Sequence, residues 1–292
     1  MYRETILVLS HAVNRHKETL QTLKCRLREA TYGLSMQVIA LKTSLIKPDD
    51  DLVAALIQAV ERQRLRLNDG DILAISSKAV ASADGRIVKM KEVSVSKTAE
   101  ELAKKHALEP EFVELVLMEA DKIYGGVEKA ILTLKDNALA INAGVDHKNA
   151  PVGCAALLPL NPQRRAESLQ EETKRRVGRD VGVLIVDSSV APLRMGTRGV
   201  AIGVAGFKPI IDCRGKRDLF QKPLLITRHA VADDLASVAH LVMGQAGEST
   251  PAALIRGAPV TIVRSASIDE MKISPDKCVY IKAFRASTEG MK

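Results

Sequence analysis

Apolar positions along this chain switch repeatedly between a strand-like and a helix-like spacing. From Met36, MQVIALKT is a short apolar run that predicts a first strand, closed by Pro48 and the acidic trio Asp49-Asp50-Asp51. LVAALIQAVERQRLRL then keeps apolar residues at helical spacing. Carboxylates precede it and arginines collect near its end, as the helix dipole favours. NDGD is a turn. DILAISSKAVA reads as a strand that carries Lys78 inside an otherwise apolar run, and ADGR turns the chain into RIVKM. SKTAEELAKKHA and PEFVELVLMEADKIY read as helices, the second with Pro110 in the first turn, where Pro is tolerated.

KAILTLKDNALAINAGVD has the pattern of a hairpin turning at Lys135-Asp136-Asn137. PQRRAESLQEETKRRVG is a charged helix stopped by Gly178, and VGVLIVDSS is a buried-type strand with Asp187 at its carboxyl end. The small residues of GVAIGVAGFKPIID suit a backbone that approaches something closely. LLITRHA reads as a strand, and VADDLASVAHLVMGQ as a helix with Val231, Leu235, Val238 and Val242 on one stripe. Helices and strands alternate irregularly, so the expected class is α+β, or mixed α/β, and not a regular doubly wound Rossmann sheet. No internal repeat or low-complexity linker interrupts it.

Composition narrows the partners. Of 292 residues, 46% are hydrophobic and 27% charged, as in a globular protein with a substantial core. Aromatics are 3% and Trp is absent, so Ala, Val, Leu and Ile must build that core. Base stacking on single-stranded nucleic acid is correspondingly disfavoured, and nucleic acid is not an expected partner. Lys and Arg number 43 against 35 Asp and Glu, a net charge of +8 spread along the chain. It reads mainly as a solvated surface that also favours anionic ligands. Cys25, Cys154, Cys213 and Cys278 lie far apart with no CxxC pair, which argues against zinc or a disulfide framework and for the reduced cytoplasm. No apolar run approaches the roughly 18 residues needed to span a bilayer. Residues 1–35 have an apolar run too short for a secretory segment and three Glu residues that disfavour a transit peptide. They read as a peripheral extension ahead of a catalytic region at 36–292.

Standard nucleotide signatures are missing: no GxxxxGK[ST] is present, so the chain is not a P-loop protein, and HExxH is absent. Five pieces carry candidate chemistry. They are Asp146 in INAGVDHKNAPVG, Asp187-Ser188 at the end of VLIVDS, Gln245 and Glu248 in MGQAGE, Ser77-Lys78, and the Gly-rich run from Gly196 to Gly206 beside Arg194 and Arg198. Oxygen ligands from separate segments are what Mg²⁺ or Mn²⁺ needs while it also holds phosphates. Each piece equally has a structural explanation. A strand-end Asp forms turns, Gln245 can cap its helix, Lys78 can snorkel from an edge strand, and the glycines can serve packing alone.

Taken together, IKPDDDL, LNDGDILAISSKAV, GRIV, INAGVD, VGRDVGVLIVDS, VAIGVAG, DCRGKRDLF and ADDLASVAHLVMGQAGE resemble, in order, the coenzyme F420-0:L-glutamate ligase family, also called F420-0:γ-glutamyl ligases. The resemblance covers approximately Met36 to Gly257. It implies a two-part α+β fold with intertwined subdomains, a homodimer, and a GTP-dependent ligase that adds one or more L-glutamates to coenzyme F420-0 through an acyl phosphate. It further implies two divalent ions, Mg²⁺ or Mn²⁺, with K⁺ as another candidate. Asp146 and Asp187 match the family's catalytic positions. Asp146, Asp187, Ser188 and Gln245 match its metal-binding segments, with Ser188 where the family usually has Thr and Glu248 as a weaker ligand candidate. Lys47, Lys78, Arg194, Gly203 and Gly206 fall in segments assigned to the nucleotide. The chain departs from the family after Ser188. The usual Phe-Gly-Arg-Pro-Trp-Arg is here Ser189-Val190-Ala191-Pro192-Leu193-Arg194, without rings and without the first cation. Two alternatives therefore stand beside F420-0 ligation: a γ-glutamyl ligase for another acceptor, such as a pterin or folate, and a non-catalytic nucleotide- or RNA-binding relative.

Overall fold

The computed structural model describes residues 35–289, so the expectation for the N-terminal extension lies outside the described residues apart from Ser35. Numbered along the chain, β1 (Gln37–Leu41), β2 (Ile72–Ser76), β8 (Gly182–Ser189), β9 (Arg198–Ala205) and β12 (Ala252–Arg256) form the central sheet. Their order is β1-β12-β2-β8-β9, and only the neighbours β2 and β8 run parallel. Both faces are covered, which is why β2, β8 and β12 read as continuous apolar runs rather than alternating ones. Leu73, Ile75, Val183, Ile185 and Leu254 pack against α1 (Leu52–Arg62), α2 (Ser77–Ala83) and α5 (Pro162–Val177). Ile72, Ala74, Leu184, Val186, Ala253 and Ile255 face α6 (Val231–Met243).

The mixed α/β class agrees with the sequence pattern, while several local readings need correction. DILAISSKAVA is not one strand. The Ser76 hydroxyl accepts from the Ala79 amide as an N-cap, and the Ala-rich run behind it turns helical, so Lys78 sits in the first turn of α2. α1 stops at Arg62, well before the end of its expected segment, and Arg64 has φ 59°. Of the expected stripe, α6 buries Val231 and Leu235, while Val238 and Val242 are only half-buried and Ala232, Ala236 and Ala239 complete the buried face. A Cβ on Gly199 would lie 2.2 Å from the Ala236 carbonyl oxygen, so small residues decide which face of α6 meets the sheet. LLITRHA contributes only β11 (Arg228–His229), paired with β10 (Ile211–Asp212), and Leu225 and Ile226 stay exposed.

Residues 87–158 form a lobe inserted between α2 and α5. It holds β3 (Ile87–Lys89) paired with β7 (Cys154–Ala156), helices α3 (Lys97–His106) and α4 (Pro110–Glu119), and the meander β4 (Lys122–Val127), β5 (Ala130–Lys135), β6 (Ala138–Ile141). The β5–β6 turn is where the sequence places it. Asp136 and Asn137 have φ of 50° and 59°, the left-handed pair that a two-residue hairpin requires. Phe112, Leu115, Val116, Val145 and Ala155 make the lobe's own core. Among the described residues no helix is long and apolar enough to cross a membrane.

Glu119 ties the end of α4 to two cations. It accepts from Arg86 Nη2 and Lys135 Nζ, each at 2.7 Å, while Arg86 Nε donates to the Leu158 carbonyl. Burial alone would raise this carboxyl. The hydrogen bonds from Lys135 and then Arg86 outweigh it and hold the group below its ordinary 4.5. A depressed folded pKa stabilises the protein above the unfolded value, and that contribution fades as pH falls through the folded one. Glu119→Gln should therefore cost about 2 kcal/mol at pH 7 and progressively less below pH ~4.5. Urea unfolding of both proteins at pH 7 and pH 4 measures the difference, and an equal cost at both values would contradict the linkage.

Candidate active site

Because β2 and β8 are parallel, with Ser76 opposite Val186, they leave the sheet side by side at one edge. β12 runs the other way, so the segment entering it from α6 reaches the same edge, where Ser76 N–H donates to the Pro251 carbonyl. The exit of β1 arrives there too, with Thr43 N–H donating to Ser249. A β-bulge, one extra residue on β9 between the Ile185 and Val186 pairings, interrupts the ladder just before Asp187. Carboxyl ends of strands that converge in this way make a natural binding crevice.

The crevice is a cavity of about 720 Å³, closed on its far side by the inserted lobe. The lobe delivers Asp146 through a bend at Asn142–Gly144. Asn142 and Ala143 both have φ 52°, and Gly144 combines φ 77° with a Leu158 side chain 2.4 Å from where its Cβ would lie. A side chain there would be strained by the positive φ and would have to displace Leu158, which accounts for the Gly in the stretch NAGVD. Fully buried Thr133 supports the bend by accepting from the Ala143 amide while donating to the Ala140 carbonyl. An isolated β-bridge between Asp146 and Ala156 then fixes the carboxylate's place.

Inside the cavity, polar groups from four segments meet. Lys78 Nζ lies 2.9 Å from Asp146 Oδ2, and the Ser77 hydroxyl donates to Asp187 Oδ1 at 2.7 Å. Desolvation raises the Asp187 carboxyl above the ordinary range. The Ser77 hydrogen bond and the Lys78 charge oppose that rise, and the neighbouring Asp146 charge adds to it. On the other wall, the Ser188 hydroxyl is 3.1 Å from His240 Nε2 and 3.4 Å from Gln245 Oε1, and the Gln245 amide nitrogen is 2.7 Å from the same imidazole nitrogen. Desolvation lowers the His240 pKa against the pull of Asp187, so the ring is held toward its neutral form. The Glu248 carboxylate accepts from the Ala246 amide, and loop amides, its own first, hold its pKa down.

Asp146, Asp187, Ser188, Gln245, Lys78 and Glu248 thus line one cavity. Lys47, Arg194, Gly203 and Gly206 do not. Lys47 follows two lining residues and its amide donates to Asp50, while Arg194 is exposed in its loop. A Cβ on Gly203 would lie 2.4 Å from the Pro162 carbonyl oxygen at the start of α5, and one on Gly206 would lie 2.8 Å from that of Val181. Backbone packing therefore accounts for both glycines. His240 is a polar residue in the site that the sequence reading passed over. Its signal was the five-residue spacing to Gln245 across the end of α6.

Among the described residues no three His, Cys, Asp or Glu side chains cluster as metal ligands. The available donors are the carboxylates of Asp146 and Asp187, the latter desolvated, the hydroxyl of Ser188, the amide oxygen of Gln245 and, on the same cavity, the carboxylate of Glu248. That all-oxygen set fits a hard divalent cation such as Mg²⁺ or Mn²⁺ and not zinc or copper.

A family model described as F420-0:Gamma-glutamyl ligase matches residues 40–257. The chain is 41% identical over 213 residues to a Coenzyme F420:L-glutamate ligase of Methanopyrus kandleri, covering 73% of this chain and 82% of that protein. A protein of the same name from Methanothermobacter thermautotrophicus is 38% identical over 222 residues, 76% of this chain and 88% of its own. Another, from Archaeoglobus fulgidus, is 35% identical over 241 residues, 82% and 94% respectively.

Proposed function

Since this chain belongs to the F420-0:gamma-glutamyl ligase family and is an amide-bond-forming ligase, we propose that it joins L-glutamate to coenzyme F420-0 at the expense of GTP. The observation that carries this reading is the convergence of Asp146 and Asp187 on one cavity, facing each other across Lys78.

A carboxylate is a poor acyl donor and must be activated. The acceptor carboxylate takes the γ-phosphoryl group, giving an acyl phosphate and GDP. The glutamate amine then attacks the acyl carbon, loses a proton as the C–N bond forms, and expels phosphate. A divalent ion, when bound, supplies Lewis-acid neutralisation of the phosphates and of the group in transfer. Asp146, Asp187, Ser188 and Gln245 are the residues that would hold it. Lys78, in the first turn of α2, adds a point charge for phosphate while it restrains Asp146. Ser77 keeps the Asp187 carboxylate turned into the cavity, and His240 restrains both Ser188 and Gln245.

The cysteines Cys154, Cys213 and Cys278 are free, which suits a reducing cytoplasm. The exposed Leu219, Phe220, Leu225 and Ile226 support assembly of two copies. A second acceptor, such as a pterin or folate, draws on the loop Ser189–Arg194, which carries no ring toward the cavity.

Mass spectrometry of the protein incubated with F420-0, glutamate, GTP and Mn²⁺ tests the proposal. One or two glutamates should be added to F420-0. An unchanged mass, with glutamylation of a pterin or folate instead, would transfer the reading to the second acceptor.

A further inference from the structure

The site has to hold at least one substrate that ends in a flat heterocycle, yet its walls offer few surfaces for one. Of the described residues lining the cavity, only Phe112, His147 and His240 carry aromatic rings, and none is Arg, Tyr or Trp. Phe112 is 3% exposed, and His240 is engaged by Ser188 and Gln245. His147 differs from both. One face of its imidazole stacks on Phe112, with centroids 4.5 Å apart and planes at 24°, and its side chain remains 47% exposed. Glu109 Oε2 stands 3.5 Å from its Nε2. Beneath it the backbone is fixed, since Lys148 N–H donates to Asp146 Oδ1 and Asp146 bridges Ala156.

We propose that the open face of His147 is a stacking platform for the planar fused heterocycle of a substrate, either the guanine of the nucleotide or the deazaflavin of the acceptor. This rests on the ligase reading above. A ring already stacked on a buried Phe loses little freedom when a second ring settles on it, and offset stacking is the geometry such pairs prefer. The platform also stands where it can matter. It adjoins Asp146, and the opposite loop Ser189–Arg194 contributes no ring.

The test is equilibrium binding of GTP and, separately, of F420-0 to the full-length protein with Mn²⁺. Wild type is compared with His147→Ala and His147→Phe, with melting temperatures as the folding control and inorganic tripolyphosphate as a ringless probe. His147→Ala should weaken one ring-bearing ligand about five- to tenfold and leave the other and tripolyphosphate within twofold. His147→Phe, which keeps the plane, should restore that ligand to within twofold of wild type. Loss confined to GTP assigns the platform to guanine, and loss confined to F420-0 assigns it to deazaflavin. If His147→Ala changes neither ligand, or His147→Phe binds as weakly as His147→Ala, the platform is overturned while the ligase reading stands. A wild-type protein that binds neither GTP nor F420-0 overturns both.

Discussion

Replacing Asp187 with Asn should leave the protein folded, with a melting temperature at or above that of wild type, and lower glutamate ligation at least a hundredfold. The two effects share one cause. Burial works against the charged form of this carboxylate more strongly than the Ser77 hydroxyl and Lys78 favour it, so the native fold bears a cost in keeping the group there. An amide of the same shape removes that cost and can still accept from the Ser77 hydroxyl. It cannot supply the negative charge that would hold a divalent cation against the transferring phosphoryl group, and losses of two to three orders of magnitude are usual when such a preorganised group goes. Asp146→Asn is the informative companion. Asp146 and Lys78 side chains are 31% and 26% exposed, so the lost ion pair changes stability little while turnover falls similarly. The measurements are product mass with F420-0, glutamate, GTP and Mn²⁺, and a calorimetric melt. Asp187→Asn turnover within threefold of wild type would remove Asp187 from the chemistry.

That prediction draws on a part of the site that was legible in the sequence. Asp187 ends a run of apolar residues and Asp146 follows NAG, and both patterns report a local fact: a strand that stops and a backbone that must turn. α5, with Pro162 at its start and Gly178 at its end, was legible for the same reason, as was the Asp136-Asn137 hairpin. What escaped depended on contacts distant in sequence. Lys78 appeared to lie within a strand because ILAIS and KAVASA are both apolar, and only the Ser76 cap distinguishes them. Gly203 reads identically whether a nucleotide or the α5 backbone comes close, and the structure places Pro162 there. His240 and Gln245 lie on opposite sides of a helix end, so their pairing depends on how the chain leaves α6. His147 was visible as a letter in INAGVDHKNAPVG, but its stack on Phe112 joins residues that lie far apart along the lobe.

The largest stability loss should come from the opposite end of the sheet. Asp71 precedes β2, Arg256 closes β12, and these neighbouring antiparallel strands bring them together with Ile72 opposite Ile255. The contact is two-pronged: Arg256 Nε donates to Asp71 Oδ1 at 2.9 Å and Nη2 to Oδ2 at 2.6 Å. Asp71 is 2% exposed, and its Oδ2 also accepts from the Asn68 amide. Asp71→Ala would strand a guanidinium and a turn amide without their acceptor, and breaking a buried pair from one side costs about 3–4 kcal/mol. For a chain of this size that is roughly 10 °C in melting temperature. The pair itself need not be strongly stabilising, because desolvating two charges offsets most of their attraction. Asp71→Ala combined with Arg256→Met should therefore be more stable than Asp71→Ala alone, a non-additivity that a double-mutant cycle reads directly. Turnover of the folded fraction should be unchanged throughout, since neither residue lines the cavity. Denaturant unfolding of the four proteins decides the matter. A cost below 1 kcal/mol for Asp71→Ala would mean that water replaces the carboxylate, and that this corner of the sheet is held by its strands alone.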